Sequence, residues 1–386
     1  MDCRNCHHYR IATIEAGAST GYIHKIILRL LKRFYIIPAT KGRVNTMLSF
    51  AIGVDLGGTN LRIAAIEETG RPLETFNTST EVKRGRDFVI DEMCRVIQVL
   101  SSKFSHTHQF LGTGVGIPGI IEMESGRLHS AANLPDWKDY PVKAEIEERL
   151  GSPVVLENDA NCAALGEKWM GAGRDAAGLC MITLGTGVGG AFIFRGKIWH
   201  GMIGMAGEVG HMCVAAQGPA CGCGGRGCLE QFASATAIRR MATEAIRSGN
   251  ASGLANAIRN QELSAKVVFQ QALLGDRVAT QIFETAGVAL GTALASLVNA
   301  LNLPMYIIGG GVAKAWPAFS PAMYRELRKQ SVVFRAGEDE HTHVNRTVIT
   351  PAELGSEAGL IGAARLPMIL KDSHHCSHIR VAAQIA

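Results

Sequence analysis

The chain has 386 residues, 47% hydrophobic and 19% charged, a composition that excludes a disordered or low-complexity polymer and leaves room for two domains. Its formal net charge of +5 originates in the first 46 residues, where eight Lys/Arg face two Asp/Glu, and residues 47–386 carry 31 basic against 32 acidic groups. Without a basic field over that part, nucleic acid is not an expected partner, and ten cysteines scattered along the chain, several of them isolated inside apolar runs as at Cys162 and Cys180, argue against a disulfide framework and for a reducing, cytoplasmic setting.

Residues 22–37, YIHKIILRLLKRFYII, have the pattern of a basic amphipathic helix, too short and too charged to span a bilayer. The segment lacks the order and cleavage site of an export signal. The spacing Cys3-x-x-Cys6-His7 matches haem attachment, but that chemistry needs an exported chain, and the agreement is read as coincidence. Regular patterning begins abruptly after Met47, so residues 1–46 are expected to be an upstream extension, with no stable membrane association.

From Met47 onward, short β-branched runs alternate with helical ones, which predicts an α/β class. Phe50 to Asp55 and Leu61 to Ile66 read as strands around a glycine turn, Leu73 to Thr78 as a third, and Arg86 to Lys103 as an amphipathic helix. Gly112 to Ile117 follows as a buried strand, then helix Val142 to Leu150, strand Val154 to Glu157 and helix Asp159 to Met170. After a small-residue linker at 171–174 the pattern restarts, with strand Leu179 to Leu184, a glycine turn and strand Ala191 to Phe194. This repetition suggests a duplicated module with an active-site cleft between its halves. Met305 to Ile308 reads as a strand, Ser356 to Arg365 as a small-residue helix, and the tail after Pro367 as loose.

The expected organisation is a small α/β lobe over residues 47–172 plus 355–367, a large one over 173–354, and a tail over 368–386.

Chemistry concentrates at the strand ends. In DLGGTNLR, Gly57 and Gly58 let backbone N–H groups approach phosphate oxygens, Thr59 can donate a hydroxyl, Asn60 extends the turn, and Asp55 can hold magnesium through water. A glycine hairpin beside an Asp is common, but Gly185-Thr186-Gly187-Val188-Gly189 repeats it at the opening of the second half. Neither turn is a Walker loop or a dinucleotide fingerprint, because no Gly-Lys-Ser/Thr follows and a strand comes next. In Glu157-Asn158-Asp159, at a strand-to-helix junction, helix capping and general-base catalysis explain the polar residues equally well. Asn133 and Trp137, in NLPDW, offer an amide and an aromatic to a sugar. Finally, His211 with Cys221, Cys223 and Cys228 supplies one imidazole and three thiolates for a tetrahedral zinc site, flanked by Glu208 and Glu230.

Together these motifs, in this order from about Ser49 to Arg365, resemble the sugar kinases and repressors called ROK (repressor, open reading frame, kinase). The resemblance implies an actin-like (ribonuclease H-like) ATPase fold of two α/β lobes closing around ATP and a sugar. It implies further that Asp159 is the catalytic base; that Asn133, Asn158, Glu208, His211 and Glu230 contact the sugar; that zinc sits on His211, Cys221, Cys223 and Cys228; and that Gly310 and Gly311 form a turn beside the adenosine. The expected activity is glucokinase, phosphorylation of glucose with ATP and Mg2+ by a cytoplasmic homodimer. N-acetylmannosamine, fructose, allose and N-acetylglucosamine kinases share much of the set. A sugar-responsive repressor is the rival from another class, and it would carry a winged helix-turn-helix ahead of the first phosphate turn. A non-catalytic zinc-stabilised sugar binder, a membrane-attached kinase and polyphosphate as donor are the remaining alternatives.

Overall fold

The computed structural model describes residues 47–386 apart from Ala132, Asn260, residues 339–345 and Ala386; beyond Lys371 only the backbone is described. The expected extension over residues 1–46, with its amphipathic stretch and Cys3, Cys6 and His7, lies outside the described residues.

Two five-stranded sheets organise the body of the chain. The first contains β1 (Ser49–Leu56), β2 (Asn60–Glu67), β3 (Pro72–Ser79), β4 (Gln109–Ile117) and β7 (Val154–Asn158), in the order β3-β2-β1-β4-β7. The second contains β8 (Gly178–Leu184), β9 (Val188–Phe194), β10 (Lys197–Ile198), β11 (Met305–Gly309) and β12 (Val348–Pro351), in the order β10-β9-β8-β11-β12. In each, the opening three strands form an antiparallel meander and the last two add in parallel. One topology is thus used twice. A short hairpin, β5 (Ile120–Glu122) and β6 (Arg127–Ser130), hangs from the end of β4.

Strand β1 shows why the layers form. Its even positions, Phe50, Ile52, Val54 and Leu56, are buried in one apolar cluster with Val89, Ile90, Met93 and Ile97 of α1 (Arg86–Phe104). On the other face a side chain at Gly53 would meet the Leu360 carbonyl at 2.3 Å, and one at Gly114 of β4 would meet the Ala363 carbonyl at 1.9 Å. These glycines let α7 (Ala358–Ile385) lie flat on the sheet. The remaining main helices are α2 (Val142–Leu150), α3 (Asp159–Met170), α4 (Ala235–Arg247), α5 (Arg277–Leu301) and α6 (Trp316–Gln330). Helix α5 is long and apolar enough to cross a bilayer, but 67% of its apolar window is buried, with Phe283, Leu290, Leu294 and Val298 in the core of the second half. It is a core helix.

Between the halves a third cluster joins Cys162, Ala164 and Leu165 of α3 to Leu179, Met181, Ala191 and Ile307 of the second sheet and to Ala363 and Leu366 of α7. There α3 and α7 cross at backbone contact: a Cβ on Gly166 would sit 2.1 Å from the Ala358 carbonyl, and one on Gly362 would sit 1.7 Å from that of Cys162.

Two expectations need correction. The tail is not irregular, since α7 continues through Pro367 to Ile385, anchored just past the proline by Met368, which is 2% exposed. Trp137 is fully buried among Leu134, Tyr140 and Val142, edge-on to the Tyr140 ring, and so is core and not a sugar platform.

Gly362→Ala should raise intrinsic helix propensity yet destabilise the protein, because the new methyl meets backbone that cannot retreat. Thermal unfolding should shift down by about 5 °C or more. An unchanged or higher midpoint would remove the crossing as a packing constraint.

Candidate active site

The junction between the sheets is a cleft of about 1170 Å³, large for a single small ligand. Asp55, Asn133, Asn158, Asp159, Glu208, His211 and Glu230 line it. So do Gly185, Thr186, Gly187 and Gly189 of the second glycine turn and Gly310 and Gly311 after β11. Gly57, Gly58, Thr59 and Asn60 do not. They cap the β1–β2 hairpin, with the Gly57 N–H on the Asn60 carbonyl at 2.9 Å and the Thr80 hydroxyl on the Gly57 carbonyl at 2.6 Å. A Cβ on Gly58 would lie 2.5 Å from Asn133 Cβ, so that glycine makes room for the loop bearing Asn133.

Asp159 is the first residue of α3, immediately after β7. Asn158 is the cap: its side-chain oxygen accepts from the N–H groups of Ala160 (2.9 Å) and Asn161 (3.3 Å), and its amide nitrogen donates to Gly119 O at 3.2 Å. The Asp159 carboxylate lines the cleft and shares the Ala160 N–H with Asn158, one of its oxygens accepting it at 2.8 Å. Burial pushes its pKa up to about 6; the charge of Asp55 pushes the same way, and the Ala160 N–H opposes. Asp55 is also raised by burial, against the pull of Arg62, whose guanidinium lies 3.0 Å away. Arg62 continues to Glu357 at 3.5 Å and to the Ser356 carbonyl, tying the start of the first half to the segment that leads into α7. The sequence reading left Arg62 without a role. Its signal was present, because Asp55 and Arg62 are cross-strand partners on either side of the glycine turn.

The second glycine turn is held from one side by the segment that follows the cysteines. Glu230 accepts the Val188 N–H at 3.0 Å, the Ala235 N–H donates to Gly185 O at 2.8 Å, and the Thr236 hydroxyl donates to Thr186 O at 2.8 Å. A side chain at Gly187 would collide with Glu230, 2.4 Å away.

His211, Cys221, Cys223 and Cys228 converge, their ligand atoms all within 4.8 Å of one another. Cys221 Sγ lies 3.6 Å from His211 Nδ1, and Cys223 Sγ lies 3.7 Å from Cys228 Sγ. Tetrahedral zinc with Zn–S bonds of about 2.3 Å separates its ligand atoms by about 3.8 Å, so the donor set and spacing fit that ion. The Gly225 N–H on Cys223 Sγ holds that thiol below its ordinary pKa, whereas burial and neighbouring sulfurs push Cys228 up to about 12, a cost that a cation among the thiolates removes. The imidazole turns Nδ1 to the sulfurs and Nε2 toward Glu208, 3.8 Å away, at the cleft wall.

The sequence model of the ROK family matches residues 51–368. The chain belongs to the ROK family. It is 38% identical over 318 residues to a glucokinase of Halalkalibacterium halodurans, an alignment that covers 82% of this chain and 94% of that one. Among solved structures, a ROK family glucokinase from Streptomyces griseus in complex with glucose and AMPPNP superposes with a TM-score of 0.68 at 33% identity, covering 82% of this chain and 99% of the other. A xylose repressor of Caldicellulosiruptor bescii is 30% identical over 316 residues, 79% of each chain. The fold is the actin-like ATPase fold of the ROK sugar kinases.

Cys223→Ser should cut zinc bound per chain, measured by elemental analysis, and lower the thermal midpoint. Equal metal content and midpoint in both proteins would contradict a structural metal at these four residues.

Proposed function

We propose that this ROK protein is an ATP-dependent hexose kinase that phosphorylates the primary hydroxyl of glucose to give glucose 6-phosphate. The observation that carries this reading is the position of Asp159: a carboxylate at a helix start, raised to about 6, in one cleft with a glycine turn and with Glu208 and Glu230 beside the His/Cys cluster. The relatives called glucokinase are matched over nearly their whole length, which supports the same activity here.

In this mechanism Asn133, Asn158, Glu208, His211 and Glu230 hold the sugar through its hydroxyls. The backbone of Gly185 to Gly189 cradles the phosphates, and Gly310 and Gly311 border the adenosine. Gly57 to Asn60 approach the phosphates from the other lobe as the cleft closes and excludes water. Asp159 takes the proton of the primary hydroxyl, whose oxygen attacks the γ-phosphorus in line. Magnesium bound with the nucleotide would neutralise phosphate charge, and Asp55 is the residue that would hold it. His211, Cys221, Cys223 and Cys228 would hold a structural zinc, which would keep Glu208 and Glu230 in place. The enzyme would act in the cytoplasm as a homodimer, feeding sugar into glycolysis. N-acetylmannosamine or another hexose is the alternative substrate within the same site.

The repressor relative favours a second reading, sugar sensing without turnover. Against it stand an intact Asp159 and an ordered second glycine turn, features that serve phosphoryl transfer. A gel-shift with genomic DNA, negative under conditions where a coupled ADP-release assay with a hexose panel is positive, separates the two.

Asp159→Asn should lower kcat by at least about 1000-fold while sugar still binds. It should also stabilise the protein at pH 8 by about 1–3 kcal/mol, since a carboxyl raised from 3.8 to about 6 disfavours the ionised fold above pH 6. That gain should fade as the pH falls from 6 and vanish below 3.8, where the acid is protonated in both folded and unfolded chains. Near-normal turnover by the variant in a coupled assay would remove Asp159 from the role of base.

A further inference from the structure

Helix α3, which carries Asp159, is flanked by two buried glutamates. At its C-terminal end Glu167, with no exposed surface, accepts the backbone N–H groups of Ala172 (2.9 Å), Glu353 (3.2 Å) and Leu354 (2.8 Å). Those donors belong to the two segments by which the chain passes between the sheets, so this end is fixed to both halves.

At the other end stands Glu157, 3% exposed. One of its oxygens accepts from the Asn158 N–H at 2.8 Å and from Asn161 Nδ2 at 2.9 Å, which ties the strand end to the first turn of α3. The second oxygen accepts from His200 Nε2 at 2.7 Å. His200 belongs to the opposite half. It follows β10 and opens the loop that ends at Glu208, and its carbonyl accepts the Ala206 N–H at 3.0 Å, which closes that loop on itself. Leaving part of a buried carboxylate unpaired is costly, and this imidazole is the partner that satisfies the second oxygen of Glu157. The contact also raises the His200 pKa, favouring the cationic form that pairs best with a carboxylate.

We propose that His200 is a positioning residue for phosphoryl transfer: bonded from the opposite half to Glu157, it fixes Asn158 and Asp159 relative to the loop bearing Glu208 and His211. This inference rests on the sugar-kinase reading for its catalytic consequence, although the contact itself does not. The Glu167 end of α3 is tied to the second half by the Glu353 and Leu354 N–H groups, whereas at the other end Glu157 is tied to that half through one side chain that is 35% exposed. His200 is therefore the adjustable point, and it can be changed without opening the core.

The test compares wild type with His200→Ala and His200→Gln, the latter retaining a side-chain N–H donor. Three readouts apply: steady-state kinetics with glucose and ATP, amide exchange over residues 154–162 of the substrate-free protein, and thermal midpoint with zinc content. The alanine variant should lose about 10- to 100-fold in kcat with the KM for ATP changed less than about twofold, because the base is displaced and the nucleotide site is not. Its amides at Asn158 and Asn161 should exchange faster while midpoint and zinc stay near wild type, and glutamine should restore most of the rate and the protection. The proposal is overturned if alanine leaves kcat within about twofold of wild type, if exchange is unchanged, or if alanine and glutamine lose rate equally. A wild type inactive on every hexose would sink the kinase reading, and the exchange comparison would still decide the His200 contact.

Discussion

Two helices touching at their backbones set the frame on which everything else in this protein depends. Gly166 and Gly362 remove the side chains that would hold α3 and α7 apart, and the helices then fill the space between two sheets of identical topology. The sheets meet through this narrow crossing and the small apolar cluster around it, and a cleft is left open beside it. The start of α3 lies in that cleft. The crossing thereby decides where Asp159 stands and how much water reaches it.

Electrostatics follow from that placement. Asp55 and Asp159 share the cleft floor, each raised by burial and Asp159 raised further by its neighbour, while Arg62 offsets part of the acid density. A carboxylate tuned this way is a better proton acceptor near neutrality than an exposed one. On the facing wall, the cysteine loop and the second glycine turn are a single network. Glu230, two residues past Cys228, bonds to Val188, and Ala235 and Thr236 bond to Gly185 and Thr186. The groups that would read the sugar and those that would cradle phosphate are thus mechanically continuous.

The parts of this architecture legible in the sequence were those encoded locally. Strand and helix periodicity located β1, β2, α2 and α3 within a residue or two, and the spacing of His211, Cys221, Cys223 and Cys228 anticipated a cluster that does form. Asn158 and Asp159 were separable into cap and cleft-facing acid only with coordinates in hand, because both residue types cap helices. Trp137 looked like a sugar platform in its loop, yet the burial that makes it core comes from Tyr140 and Val142, packed around it in three dimensions. The bonds from Glu157 to His200 and from Glu167 to Glu353 and Leu354 span 43 to 187 positions, a separation at which local pattern carries no signal. The continuation of α7 past Pro367 was hidden for a related reason: proline reads as a helix stop unless a neighbouring sheet supports the next turn.

Whether the carboxylate raised by this crossing performs the chemistry is read from the pH dependence of kcat/KM for glucose. An acid limb centred near pH 6 is expected, activity falling as Asp159 gains its proton. A limb at the ordinary aspartate value of about 4, or a flat profile down to that pH, would contradict it.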